Sequence, residues 1–155
     1  MSLKGIIREE IGRVLWGKKS TNVEYTGVIL EGDEIKKFEI HLFSRLKDLD
    51  IAIPDGWKKP DNYHMTITLG ELSLGMKMNG AIGSAVELTC HSIGVSDDAI
   101  AVGVSGLFSR NEVQHITVSF RLRASDSKSI KNWTNVKPFY VIGNVREVLN
   151  KNFDV

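Results

Sequence analysis

Two short runs in this chain alternate polar and apolar side chains with a period of two, and both carry the same pattern. They are Tyr-His-Met-Thr-Ile-Thr-Leu at 63–69 and Gln-His-Ile-Thr-Val-Ser-Phe at 114–120. Such alternation marks strands with one buried face. In a strand, residues i and i+2 face the same side, roughly 6.6 Å apart along the chain. His64 therefore shares a face with Thr66, and His115 with Thr117, while Met65, Ile67, Ile116 and Val118 point the other way. Packing the apolar face on a core leaves the histidine–threonine face open or lining a cleft. With four histidines and seven threonines in 155 residues, chance yields roughly 0.2 His-x-Thr matches, so two in matching contexts form a hypothesis worth following.

The rest of the chain builds around these runs. Leu3, Ile6, Ile7, Ile11, Val14 and Leu15 recur at helical spacing, which predicts an amphipathic leader helix over 3–16. Residues 24–31 read as a strand ending at the turn signal Gly32-Asp33, and Ile35, Phe38, Leu42, Leu46 and Leu49 mark one face of a helix over 33–49. The stretch Ile53–Asn62 holds two of the three prolines and reads as a loop. A glycine-rich middle over 70–83 reads as turns, followed by β-like runs around 84–95, 98–105 and 113–122. A short helix is expected over 126–134 and a final strand and turn over 137–149. No linker divides the chain, so the whole of 1–155 is expected to be one α+β domain with largely antiparallel pairing.

Composition narrows the function. Twenty basic and 19 acidic residues give a net charge of +1, too little for a protein held on duplex nucleic acid mainly by its general field. Any nucleic-acid chemistry must sit in a local site. The single cysteine, Cys90, excludes a disulfide framework and a cysteine-based zinc cluster. No apolar run reaches the ~18 residues of a membrane span, and Glu9 and Glu10 interrupt any secretory signal. The expectation is a soluble, cytoplasmic protein without membrane contact, obligate protein partner, metal or other cofactor.

Two imidazoles and two hydroxyls, brought together, are the parts of metal-free phosphoryl chemistry. A neutral imidazole takes a proton from the attacking oxygen and a protonated one gives a proton to the leaving oxygen. Histidine suits both tasks because its ordinary pKa of ~6.5 allows either charge state near neutrality. The threonine hydroxyls can donate to nonbridging phosphate oxygens. The competing reading is ordinary: threonine is common in strands, and a single exposed strand histidine is usually only surface.

The pair resembles the two signature motifs, hydrophobic-His-x-Thr/Ser-hydrophobic, of the two-histidine (2H) phosphoesterase superfamily, and 51 residues separate His64 from His115. The wider pattern is similar to the cyclic phosphodiesterase domain of tRNA ligases and to phage RNA-repair-like proteins. The resembling features are Tyr25-x-Gly-Val28, Pro54-x-Gly-Trp57, a glycine-bearing β run, and Asn111-Glu112 before the second motif. The resemblance spans roughly 24–145. It implies a bilobal, pseudo-two-fold duplicated fold of mainly antiparallel sheets, with a central cleft and helices outside. It implies His64 and His115 as general acid and base, without saying which is which, and Thr66 and Thr117 as phosphate ligands. It implies a metal-independent 2′,3′-cyclic phosphodiesterase acting on RNA ends or small nucleotides, and from the tRNA-ligase-type relatives a 2′-phosphate product. Phosphodiesterases of 2′–5′ or cyclic oligonucleotide signals, and a noncatalytic RNA-end or nucleotide-binding module, are the alternatives. Gln114 departs from the pattern, standing where the family usually has an apolar residue or proline.

Other residues carry weaker signals. Tyr25 is a candidate substrate contact on the first strand, against packing as a half-buried strand tyrosine. Trp57 and Trp133 are candidates to stack on a base, against packing in a core or lid. Lys58-Lys59, Arg121 with Arg123, and Lys128 with Lys131 are candidates to flank an anionic strand, against simple solubility. Gly12–Lys19 nearly spells a phosphate-binding P-loop but has Lys19 where Ser or Thr is required. His41 and His91 have no partners at metal-ligand spacing and read as structural.

Overall fold

In the computed structural model, which describes residues 22–71, 80–106 and 114–149, the strand expected at 24–31 forms as β1 (Val23–Leu30). The leader helix, the P-loop-like stretch and Asn111-Glu112 lie outside the described residues. The helix expected over 33–49 forms as α1 (Asp33–Asp48). Asp33 and Glu34 in its first turn and Arg45 and Lys47 in its last complement the helix dipole. Phe38, Leu42 and Leu46, one turn apart, form its buried stripe. Its end is a Schellman motif: Ile51 N–H donates to the Leu46 carbonyl and Asp50 N–H to that of Lys47. Asp50 takes the left-handed conformation there, φ 59°, which a short polar side chain tolerates.

The remaining strands are β2 (His64–Leu69), β3 (Ala85–Val95), β4 (Ala99–Ser105), β5 (His115–Phe120) and β6 (Asn132–Leu149). The helix expected over 126–134 is a correction: a 3-10 segment covers Ala124–Ser129, and β6 begins at Asn132. Pro138 hid the first part of β6. It falls where the pairing with β3 jumps from Cys90↔Phe139 to Ser92↔Asn135, the kind of irregularity at which a strand tolerates proline.

The six strands of the described residues pair antiparallel in one closed ring of order β1-β2-β5-β4-β3-β6. The architecture is thus α+β with mainly antiparallel sheet. From the β2–β5 seam the order runs β2, β1, β6 one way and β5, β4, β3 the other, and pairing of β3 with β6 closes the ring. The long β6 makes closure possible because it pairs with β3 along Asn132–Asn144 and with β1 along Gly143–Leu149. One cluster of buried residues holds Met65, Ile67, Ile116 and Val118 together with Val28, Leu88, Val102, Val141 and the α1 stripe. Burying each such side chain contributes about 1.5–3 kcal/mol. That pull fixes which faces of β2 and β5 look away from the core. Trp57 packs against this cluster as a half-buried residue.

Candidate functional site

β2 and β5 are neighbours, paired antiparallel with Met65 opposite Ile116. Antiparallel geometry then sets His64 opposite Thr117 and Thr66 opposite His115, all four on the face turned from the core. Directly opposite residues have Cβ atoms about 4.5–5.5 Å apart and diagonal ones lie about 7–8 Å apart, so the two histidines are diagonal neighbours. A one-residue slip of either strand would send its own histidine and threonine into the core.

The neighbouring strands hold this register. Gly27 of β1 pairs with Thr66, Val28 with Met65 and Ile29 with His64. On the other side Gly103 of β4 pairs with His115 and Ala101 with Thr117. Small residues there leave room for Trp133, whose ring lies against Gly94 and Gly103: a Cβ at Gly94 would come within 2.6 Å of it. Its Nε1–H donates to the Ile130 carbonyl. Trp133 is therefore a packing residue. His41, stacked on Phe139 with ring centroids 5.1 Å apart, is structural as well.

His64 is held from two sides. Its ring stacks on Tyr25, centroids 4.4 Å apart. Its Nδ1 lies 2.7 Å from Asn62 Oδ1 and 3.3 Å from the Asn62 carbonyl. The Tyr25 hydroxyl donates to the same Oδ1 at 3.2 Å. Burial, and then repulsion from His115, hold the His64 pKa below its ordinary 6.5, against the opposing pull of its Asn62 contact. Burial raises the Tyr25 pKa, with Glu24 and Asp61 adding to the rise. The loop bearing Asn62 is clamped at its middle: Lys58 exchanges backbone hydrogen bonds with Phe120 at the end of β5, and Ser119 Oγ donates to the Lys58 carbonyl. Tyr63 next to it donates to Glu39 of α1 at 2.8 Å, and Lys59 pairs with the same carboxylate.

A cavity of about 260 Å³ opens beside this assembly, lined by Tyr25, Lys59, Asn62, His64, Phe120 and Ala124 among others. His64 is the member of the quartet that lines it. His115 and Thr117 are each only 8% exposed, because the 3-10 segment lies over them. Ser127, 2% exposed, places its Oγ 3.1 Å from His115 Nε2 and 2.8 Å from Thr117 Oγ1. The sequence-expected quartet is thus brought to one face, with His64 at the cavity, Thr66 half-buried, and His115 and Thr117 covered. Of the basic candidates, Lys59 lines the cavity, whereas Arg121 is tied to Asp98 and Arg123 to Asp126. No cluster of three potential metal ligands occurs among the described residues.

Asn62 and Ser127 were not legible as site residues. Asn62 looked like the end of a loop, and Ser127 sits in a polar stretch whose path over β5 is a matter of tertiary packing. Gln114 has a consequence too: its Oε1 is buried without a hydrogen-bond partner, at a typical cost of about 1–3 kcal/mol. No helix among the described residues is long and apolar enough to cross a membrane. Comparison with protein-family models and with curated proteins returns no match.

Proposed function

We propose that this chain is a metal-independent phosphodiesterase of the two-histidine type, hydrolysing 2′,3′-cyclic phosphates on RNA ends or small nucleotides. One observation carries the reading: the Met65↔Ile116 register sets two imidazoles and two hydroxyls in a checkerboard on a single face. Diagonal histidines about 7–8 Å apart at the backbone can converge on one phosphorus, each ring reaching inward. One takes a proton from water as its oxygen attacks, the other protonates the departing ribose oxygen, and the threonines donate to the nonbridging oxygens. The strand order supports the two-lobed, duplicated arrangement of that family, since it matches β2-β1-β6 with β5-β4-β3 about the central seam. The cavity beside His64 has room for part of a nucleotide, with Phe120 and Tyr25 offering aromatic surface.

The covered state of His115 favours a second reading, a noncatalytic module that binds a nucleotide phosphate beside His64. One assay separates the two. Purified protein in EDTA is expected to hydrolyse a 2′,3′-cyclic nucleotide, with His64→Ala and His115→Ala each losing ~10²-fold or more. Full activity in either variant overturns the enzymatic reading, and binding without product establishes the module. Faster turnover of a 2′–5′ or cyclic oligonucleotide than of the mononucleotide would move the substrate, not the mechanism.

A further inference from the structure

The two histidines are chemically alike, yet their hydrogen-bond partners differ in kind, and those partners determine where each ring carries its proton. At His64, Nδ1 faces two oxygens of Asn62, one of them a backbone carbonyl, which can only accept. The other, Oδ1, accepts the single hydrogen of the Tyr25 hydroxyl, whose oxygen, 3.4 Å from Nδ1, is then left to accept as well. Nδ1 is therefore the protonated nitrogen, and the lone pair of the neutral ring lies on Nε2. At His115 the chain of protons runs through Ser127. Its hydroxyl has a single hydrogen, which it donates to the Ala124 carbonyl at 2.9 Å. Its lone pairs must then accept both remaining contacts, from Thr117 Oγ1–H at 2.8 Å and from His115 Nε2–H at 3.1 Å. His115 thus presents a proton on the atom where His64 presents a lone pair.

We infer that this asymmetry fixes the direction of catalysis, with His64 the general base, Asn62 its positioning residue, and His115 the general acid. The inference rests on the proposed phosphodiesterase reading. In the step it describes, a water oxygen bonds to phosphorus while its proton passes to His64 Nε2. The bond from phosphorus to one ribose oxygen breaks, its electron pair stays on that oxygen, and the oxygen takes the Nε2 proton of His115 in its imidazolium form. His64 leaves the step as imidazolium and His115 as neutral imidazole, and proton exchange with solvent restores both. The Ser127 oxygen, 3.1 Å from His115 Nε2, marks the direction in which the proton on that nitrogen points.

Leaving-group chemistry tests the assignment. The wild-type product first identifies which ribose oxygen departs, and a cyclic phosphate analogue carrying sulfur at that position supplies a leaving thiolate that needs no protonation. Both substrates are then turned over by wild type, His64→Ala, His115→Ala, Asn62→Ala and Asn62→Asp, each first checked for native melting. The His115→Ala deficit is expected to shrink at least tenfold on the sulfur analogue, while those of His64→Ala and Asn62→Ala stay unchanged. Asn62→Asp, which keeps an acceptor oxygen on Nδ1, is expected to recover most of the Asn62→Ala loss; a residue needed only for folding would show no such dependence. Rescue of His64→Ala instead, or of neither histidine variant, overturns the assignment while leaving the phosphodiesterase reading intact. No turnover of the unmodified substrate by wild type overturns both.

Discussion

Gly27 is where the fold and the site can be tested with one methyl group. It pairs with Thr66 across the β1–β2 seam. A Cβ placed there would lie 2.7 Å from the Met65 carbonyl oxygen and 3.4 Å from its carbon. Both obstacles are backbone, so no side chain can swing aside and the two strands must separate. Overpacking of this kind costs about 1–3 kcal/mol, and a backbone obstacle puts Gly27→Ala toward the upper end. Stiffening the unfolded chain offsets about 0.4–1 kcal/mol, leaving a net loss near 2 kcal/mol. At about 2–4 °C per kcal/mol for a chain of this size, the melting temperature is expected to fall by about 4–8 °C in calorimetry. Because Met65 lies between His64 and Thr66, the displacement reaches the site directly. At a temperature where the variant is fully folded, the proposed cyclic phosphate turnover is expected to fall about tenfold or more, as small misplacement of groups proposed to be catalytic implies. An unchanged or higher melting temperature would refute the close approach of β1 and β2, and with it the pairing that aims His64.

Three further outcomes are expected. Gln114→Leu, which removes the buried and unpartnered Oε1, should raise unfolding stability in urea by about 1 kcal/mol or more. Tyr63→Phe, which deletes the 2.8 Å bond to Glu39, should cost about 1–2 kcal/mol in the same assay, with Lys59 losing part of its anchorage. Folding lowers the His64 pKa from 6.5, so the unfolded chain takes up that proton first as pH falls. His64's contribution to stability should be complete above pH ~6.5 and decline through the window just below it, and calorimetry of His64→Asn should show a shallower decline there.

The parts of the fold that could be read from sequence are those with an uninterrupted period. The alternation in 63–69 and 114–120 located β2 and β5 and told their faces apart, and the stripe Phe38-Leu42-Leu46 located α1. Their mutual register could not be read, because it is set by β1 and β4 on either side and by a strand, β6, that closes the ring from the far end of the chain. Pro138 and the irregular pairing around it broke the pattern of β6 into what looked like a helix and a shorter strand. The quartet was legible because its residue types repeat. Its differences were not: Asn62 and Ser127 reach their histidines through a loop clamped by Lys58 and a 3-10 segment laid over β5, contacts that leave no periodic trace.

In the proposed reaction both rings serve one anion, and imidazole nitrogen resonances report that directly. Adding a 2′- or 3′-nucleotide, the product of the proposed reaction, to ¹⁵N-histidine-labelled protein is expected to shift the His64 and His115 signals together, with a single dissociation constant. A His64 shift alone, with His115 still in contact with Ser127, would contradict it.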